Sequence, residues 1–378
     1  MKTLLYGLKA MNMNKDGPIL EIKNLEVKRG GTLILNVPSI QIEEGEILSL
    51  IGPNGAGKTT LLQTLSYLLK PSQGEILFRG KKIDRNHSVL EYRRRLAMVF
   101  QEPLLFDTTV FNNVASGLKI RGIEKRKIVD RVMEELDRFG ISHLKDRSAK
   151  TLSGGEAQRT SLARAFVLKP EILLLDEPFS SLDPPTCDSL IEDLEHILHQ
   201  TRTTTLFATH DRMEALRLSD RIAVMNGGRI LQIGSPSEVM NQPIDELVAS
   251  FVGVETILTG KVVKKDGGTL LVSIEGQEIE VVGSAHLGET VVLCIRPENV
   301  TLSTRLSREG GSARNVFTGR IEKIVSLGLY QKVQLNCGFP LVAYVTHPSL
   351  EELLLTEGKE VKASFKATAI TVIRKGNG

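Results

Sequence analysis

Gly52–Thr60 reads GPNGAGKTT and satisfies the pattern G-x-x-x-x-G-K-[ST] at Gly52, Gly57, Lys58 and Thr59. Its flanks have the matching character. Glu46–Ile51 (EILSLI) enters as an apolar, buried-strand sequence, and Thr60–Leu69 (TLLQTLSYLL) leaves with leucines at helical spacing. Gly52, Pro53, Asn54, Gly55, Ala56 and Gly57 form a loop whose backbone N–H groups can curl around phosphate oxygens. The helix that begins near Thr60 adds the partial positive charge of its N-terminus. Lys58 suits the β- and γ-phosphates, and the Thr59 hydroxyl suits Mg²⁺. A chance glycine turn would not carry the Gly-Lys-Thr ending between a strand and a helix. A nucleotide phosphate site is expected.

The 378 residues allow two domains, and a net charge of +3 gives no electrostatic case for nucleic acid or a membrane surface as partner. Cys187, Cys294 and Cys337 stand alone with no C-x-x-C pair, so neither a metal nor a disulfide framework follows, and a reducing compartment fits. No apolar run approaches the ~20 residues that a membrane helix needs. Lys9 interrupts the apolar patch of MKTLLYGLKAMNMNKDG, and no small-residue cleavage site follows. Residues 1–18 are expected to be a flexible leader, or Met11 or Met13 the true start.

Along the chain, Ile19–Val27 and Thr32–Ile42 read as strands before the phosphate loop. Gly74–Phe78 and Leu96–Gln101 read as strands after it, separated by the basic stretch Tyr92–Arg95, expected to be a solvated face. From Val110 to Lys150 the period turns helical, with Ile128, Val132, Leu136 and Phe139 on one face and Gly140 as a stop. Ser153-Gly154-Gly155 opens a helix over Glu156–Leu168, which makes an anion site of its N–H groups and serine hydroxyl. Glu171–Glu177 (EILLLDE) is an apolar parallel-strand sequence with Asp176 and Glu177 emerging at its C-terminal end, where α/β sheets bind ligands. Thr203–Thr209 is a further buried strand, and it delivers His210. Arg221–Met225 and Arg229–Ile233 form a hairpin, and Glu238–Phe251 reads as a pair of helices.

The order of phosphate loop, Gln101, LSGGE, LLLDE, SLD and His210 resembles the ATP-binding subunit of an ABC transporter across residues 19–253. That resemblance implies an α/β P-loop NTPase with an inserted helical subdomain. It also implies that Gln101 senses Mg²⁺ and the attacking water, that Thr59 and Asp176 hold Mg²⁺, that Glu177 is the base, and that His210 meets the γ-phosphate. ATP would be sandwiched between Lys58 of one copy and Ser153, Gly154 and Gly155 of a second, with Asp183 in the crossing loop. Thr60 belongs to the same nucleotide-binding set. Integral-membrane permease subunits, a periplasmic or extracellular substrate-binding protein and a place on the cytoplasmic face of the membrane follow from the family, with no nucleic acid. One departure stands out. Arg29, in Leu25–Gly31 (LEVKRGG), occupies the place where the family stacks an aromatic ring on adenine. A guanidinium can also stack on a base, and a solvated basic turn is the other reading.

Residues 254–378 change character to short strands with glycine turns: Thr259–Val263, Thr269–Ile274, Gln277–Val282 and Thr290–Ile295, then a second run from Val316 to Ile373. Two passes begin alike, LTGKVV at Leu258 and FTGRIEKI at Phe317. Cys294–Glu298 (CIRPE) resembles the phrase closing the first half of the OB-like transport-associated (TOBE) domain. Ser312–Asn315 (SARN) and Lys366–Thr368 (KAT) resemble the two ends of a molybdate-binding Mop-type module. There Ser312, Arg314, Lys366 and Thr368 would bind an oxyanion; the same residues equally suit strand ends in a dimerisation barrel that binds nothing. The function expected is ATP hydrolysis energising import of molybdate or tungstate. The alternatives are an importer for ferric iron, sulfate, polyamine or sugar, and a soluble ABC ATPase without transport.

Overall fold

The computed structural model describes residues 17–84, 89–304 and 312–375, so all of the expected leader up to Asp16 lies outside the described residues. The chain contacts divide after Pro236 into two units. In chain order the first holds β1 (Leu20–Arg29), β2 (Thr32–Ile42), β3 (Ile47–Ile51), α1 (Lys58–Leu65), β4 (Gln73–Phe78), β5 (Lys81–Lys82), α2 (Val89–Arg95) and β6 (Leu96–Val99). It continues through α3 (Val110–Ile120), α4 (Lys125–Arg138), α5 (Gly154–Phe166), β7 (Ile172–Asp176), α6 (Pro184–Thr201), β8 (Thr204–Thr209), α7 (Arg212–Leu218), β9 (Arg221–Asn226) and β10 (Arg229–Gly234).

Two sheets organise this unit. One is antiparallel in the order β2-β1-β4-β5; the other runs β10-β9-β3-β8-β7-β6, parallel except for the β9–β10 hairpin. Strands of the parallel sheet are buried on both faces, and their alternation sorts the core in two. Leu48, Leu50, Ile172, Leu174, Leu206 and Ala208 join the antiparallel sheet and α1. Leu173, Leu175 and Phe207 point the other way, into the core built by α3, α4, α5 and α6. The face Ile128, Val132, Leu136 and Phe139 is buried there as its spacing implies.

The three arginines of the basic stretch Tyr92–Arg95 are exposed, as the solvated-face reading expects, and Tyr92 is the exception. The stretch forms the end of α2, and Tyr92 is buried, its hydroxyl donating to Leu65 O at 2.8 Å while its ring meets those of Tyr67 and Phe78 edge-on. The arginine run thus accompanies a single buried anchor. The helix after the phosphate loop also begins two residues earlier than Thr60 and ends at Leu65, with Tyr67 turning the chain at a positive φ of 55°.

The second unit contains α8 (Pro236–Asn241, its first residue at the division), α9 (Glu246–Phe251), β11 (Thr256–Asp266), β12 (Thr269–Ile274), β13 (Gln277–Val282), β14 (Thr290–Ile295), β15 (Thr301–Ser303), β16 (Asn315–Ser326), β17 (Tyr330–Asn336), β18 (Pro340–Thr346), α10 (His347–Glu352), β19 (Glu360–Phe365) and β20 (Ile370–Arg374). The division therefore precedes the expected boundary at 253/254. Its cause is visible in the bonds. Arg296 donates to Met240 O and to Val252 O, and the Thr371 hydroxyl donates to Asn241 O, which ties both helices to the β-rich part.

Two five-stranded antiparallel sheets, β13-β12-β11-β14-β20 and β15-β19-β16-β17-β18, share one apolar core. The two passes repeat in detail. A register shift follows Val262 in β11 and Ile321 in β16, the same distance after each Thr-Gly. Each glycine permits close packing: a Cβ at Gly260 would stand 2.5 Å from Ile274, and one at Gly319 2.5 Å from Cys337 Sγ. The last strand of each pass crosses over, β15 joining the second sheet and β20 the first.

Asn315, only 2 % exposed, receives the Glu280 N–H on its Oδ1 and donates Nδ2 to Glu280 O, both at 2.8 Å. It thus closes the free edge of β13. Asn315→Ala is expected to cost about 1–3 kcal/mol by stripping two backbone groups of their partners. Asn315→Asp, nearly isosteric, should cost at least as much at pH 7 because it turns an acceptor towards Glu280 O. Urea unfolding of the full chain checks both.

Candidate functional site

Four adjacent parallel strands bring the expected residues to one end of the sheet. β3 runs into the phosphate loop, β8 into His210, β7 ends in Asp176 before Glu177, and β6 leads to Gln101. A cavity of about 650 Å³ opens there, lined by the loop from Asn54 to Thr60, by Gln101, Glu177 and His210, and by Arg29, Ile34 and Ser180. That volume suits a nucleotide-sized ligand.

The loop holds its shape through a close approach. A Cβ at Gly52 would lie 2.1 Å from Met225 O, so only glycine lets the chain leave β3 beside β9. Lys58 then folds back over the loop, donating to Gly52 O at 2.8 Å and Pro53 O at 3.3 Å, with Glu177 Oε1 at 3.5 Å. The Thr59 hydroxyl donates to Asp176 Oδ1 at 2.9 Å. Burial pushes the Asp176 carboxyl above its ordinary range; the Thr59 hydrogen bond and Lys58 pull it back, and neighbouring Glu177 adds to the rise. A hydroxyl beside a buried carboxylate is a hard-oxygen pair of the kind that holds Mg²⁺ together with phosphate oxygens and water. No group of three or more His, Cys, Asp and Glu gathers as a metal site among the described residues; Mg²⁺ bound largely by phosphate and water needs none.

Successive residues of a strand face opposite ways, yet Asp176 and Glu177 both reach the phosphate loop. The reason is a left-handed backbone at Glu177, φ +45°, a conformation that costs a non-glycine residue about 1–3 kcal/mol. The Glu177 amide donates to Ala208 O at 2.9 Å and its carbonyl accepts from Ser180 Oγ at 3.1 Å, which pins the turn. Its second carboxylate oxygen lies 3.0 Å from His210 Nδ1.

The remaining expected residues lie elsewhere. Ser153, Gly154, Gly155 and Asp183 are absent from the cavity lining. Ser153 caps α5 in a reciprocal box with Glu156: its own N–H donates to Glu156 Oε2 at 2.7 Å, and its Oγ accepts from Glu156 N at 3.3 Å. Either Glu or Gln at this position can fill that box. Asp183 caps α6 by accepting from Thr186 N at 3.3 Å, which holds its carboxyl below the usual range together with the Thr186 hydroxyl. A Cβ on Gly155 would come within 2.5 Å of Thr186, so the two turns are packed together. In the second unit Asn315 pairs with Phe365; Ser312 and Arg314 precede that pair on the way into β16, Lys366 and Thr368 follow it out of β19, and all four are exposed. Ile34 and Ser180 line the cavity without any motif having marked them.

The family model described as ABC transporter matches residues 35–180, and the TOBE domain model matches residues 311–372. A molybdate/tungstate import ATP-binding protein of Pyrococcus horikoshii is 40% identical over 88% of this chain and 94% of its own length. This chain is an ATP-binding subunit of the ABC transporter family. As a member it is an ATPase with a C-terminal TOBE domain. A spermidine/putrescine import ATP-binding protein of Spiroplasma citri is 34% identical over 94% of this chain and 98% of its own. The solved structure of cbiO1 from Clostridium perfringens, part of the ABC transporter complex cbiONQ, matches with a TM-score of 0.56 and 34% identity, covering 63% of this chain and 96% of that one. No helix among the described residues is long and apolar enough to cross a membrane.

Beside Glu177 and His210, burial pushes the Glu214 carboxyl from its ordinary 4.5 up to about 7, against the pull of the Thr209 hydroxyl. Below 4.5 both folded and unfolded chains hold this proton. Between 4.5 and about 7 the unfolded chain releases it while the fold retains it, so stability drains away as pH rises through that window. Glu214→Gln, which imitates the protonated form, should gain stability over the wild type progressively from pH 4.5 to 7 and hold the gain above. Paired urea titrations across that range test this; a constant difference would contradict it.

Proposed function

We propose that this chain is the ATP-hydrolysing subunit of an importer for molybdate or tungstate, working as a pair of copies against membrane permease subunits that a substrate-binding protein supplies. The observation that carries hydrolysis is the convergence of Lys58, Thr59, Glu177 and His210 on one cavity, with Asp176 hydrogen-bonded to Thr59 behind it. Lys58 grips the β- and γ-phosphates, and Thr59 and Asp176 hold Mg²⁺, which supplies charge neutralisation at the transferring phosphoryl group. Glu177, released from Lys58 by the arriving phosphate, orients and deprotonates the attacking water, and His210 steadies Glu177 and the γ-phosphate. Gln101 lines the same cavity and serves the metal and the water.

Ser153, Gly154 and Gly155 form a second anion-binding helix end outside the cavity, which a second copy would bring to it, with Asp183 in the loop that crosses between copies. Peripheral attachment at the cytoplasmic membrane face follows from this reading. Arg29 and Ile34 occupy the cavity wall free of aromatic rings and receive the base.

The oxyanion assignment is supported by the first relative named above and by the basic and hydroxyl character of exposed Ser312, Arg314, Lys366 and Thr368, which flank the Asn315–Phe365 pair in sequence and would suit a tetrahedral anion. The polyamine relative, at 34% identity over nearly its whole length, favours a second reading as a polyamine importer.

Glu177→Gln should slow hydrolysis ~10²–10⁴-fold, the usual contribution of a general base, while ATP-dependent dimers accumulate on gel filtration; near-normal turnover would remove Glu177 from that role. Equilibrium dialysis of the full chain against molybdate, tungstate or spermidine, with sulfate as competitor, separates the substrate readings. Retention of molybdate or tungstate that Arg314→Ala and Lys366→Ala abolish is the expected result. No retention would leave the TOBE domain without an anion role.

A further inference from the structure

The residue that follows β8, His210, has a side chain 53 % exposed, so its own surroundings do little to fix it. Its two neighbours are fixed instead. Thr209 is buried, and its hydroxyl donates to Glu214 Oε2 at 2.5 Å while accepting from Asp211 N at 2.9 Å. Asp211 in turn caps α7, its Oδ1 accepting from Met213 N at 2.6 Å and Glu214 N at 3.4 Å. The turn is thus a closed loop of hydrogen bonds from β8 to the first turn of α7 and back, and His210 is the one member whose side chain leaves it for the cavity. We propose that Glu214 is a positioning residue for ATP hydrolysis, setting His210 against Glu177 through the Thr209 hydroxyl.

The chemistry of the cluster agrees. Glu214 faces Asp211 and His210 in its own turn, Glu177 at the end of β7 and Cys187 on α6. Two of those neighbours are carboxylates, so a neutral Glu214 carboxyl bonds Thr209 without repelling the Glu177 carboxylate. Ionisation would place a third carboxylate beside His210. Removal of the carboxyl leaves the buried Thr209 proton with no acceptor, and the turn is then free to rotate His210 away.

This inference rests on the reading of Glu177 and His210 as the hydrolytic pair, and the experiment separates the two. Steady-state ATP hydrolysis is measured on the full chain and on the variants E214A, E214Q, T209V, T209S, T209V/E214A and H210A, with thermal unfolding to verify the fold of each. E214A is expected to lower kcat roughly 10- to 100-fold, the scale of an ~1 Å misplacement, with KM for ATP within about twofold because the phosphate loop is untouched. E214Q and T209S, which keep the acceptor and the hydroxyl, should retain kcat. T209V should match E214A, and the double variant should lose no more than either, since both break one bond. Unchanged kcat in E214A, additive losses in the double variant, or a Gln variant as deficient as the Ala variant each overturns the positioning role. Wild-type kcat in H210A overturns the underlying pair instead.

Discussion

A single ammonium group sets the terms for the nucleotide-binding end of the sheet. Lys58 is 5 % exposed, and a buried cation is costly unless each of its three donors finds an acceptor. Here Gly52 O and Pro53 O accept hydrogen bonds from it and Glu177, 3.5 Å away, pairs with its charge. The first two require the loop to curl tightly out of β3, which the approach of Met225 O permits only for glycine at position 52. The third requires Glu177 to face the same side as Asp176, which the left-handed backbone at the end of β7 achieves at some cost in strain. The charge is therefore satisfied before any ligand arrives. On the proposed reading, a γ-phosphate that takes up Lys58 would replace Glu177 as its partner and free that carboxylate at the moment a water needs it.

Much of this was legible in the sequence because the chemistry is local. Residues 52–60 carry their own strand, loop and helix, and the apolar run Ile172–Leu175 announces a strand whose acids must emerge at its end. The errors arose where a local pattern was read without its tertiary partner. The three arginines after Tyr92 do face solvent, but Tyr92 itself, read with them, anchors α2 beneath Leu65. Glu214 gave no signal, since its meaning lies in a hydroxyl five residues earlier and in burial that only the fold supplies. Arg29 was legible as a departure. Its place in the cavity wall depends on the two-residue turn Gly30-Gly31, both at positive φ, which ends the β1–β2 hairpin beside the phosphate loop.

In the second unit the repeated Thr-Gly phrase pointed to two passes, and the register shift at the same offset in each shows how deep the repetition runs. What no repeat could reveal is the exchange of final strands, because β15 and β20 pair with the sheet of the other pass. The exchange explains why neither pass forms a complete core by itself and why one apolar cluster spans both sheets. It also accounts for the position of Lys366 and Thr368. They fill the short connection between β19 in one sheet and β20 in the other, and Asn315, which opens the neighbouring strand, is held to Glu280 on the far sheet. The phrase SARN thus divides its labour: its asparagine is structural, and its serine and arginine remain exposed.

The capping box at α5 has a related economy. The first turn of a helix leaves N–H groups without intrahelical partners. The box takes up those of Ser153 and Glu156 within the chain and leaves those of Gly154 and Gly155 outside it. Ser153 Oγ accepts one bond in the box, so its proton is still available for donation. A helix end finished on one side and open on the other is stable in the isolated chain and still able to take an anion. On the two-chain reading, the open side is what a second copy presents to the phosphates held by Lys58. The packing of Gly155 against Thr186 would then carry any pull on that anion into α6. On that reading the constraint at Lys58 and the openness at Gly154 would be complementary: the first half-site has its charge satisfied within one chain, and the second would find its anion on the other copy.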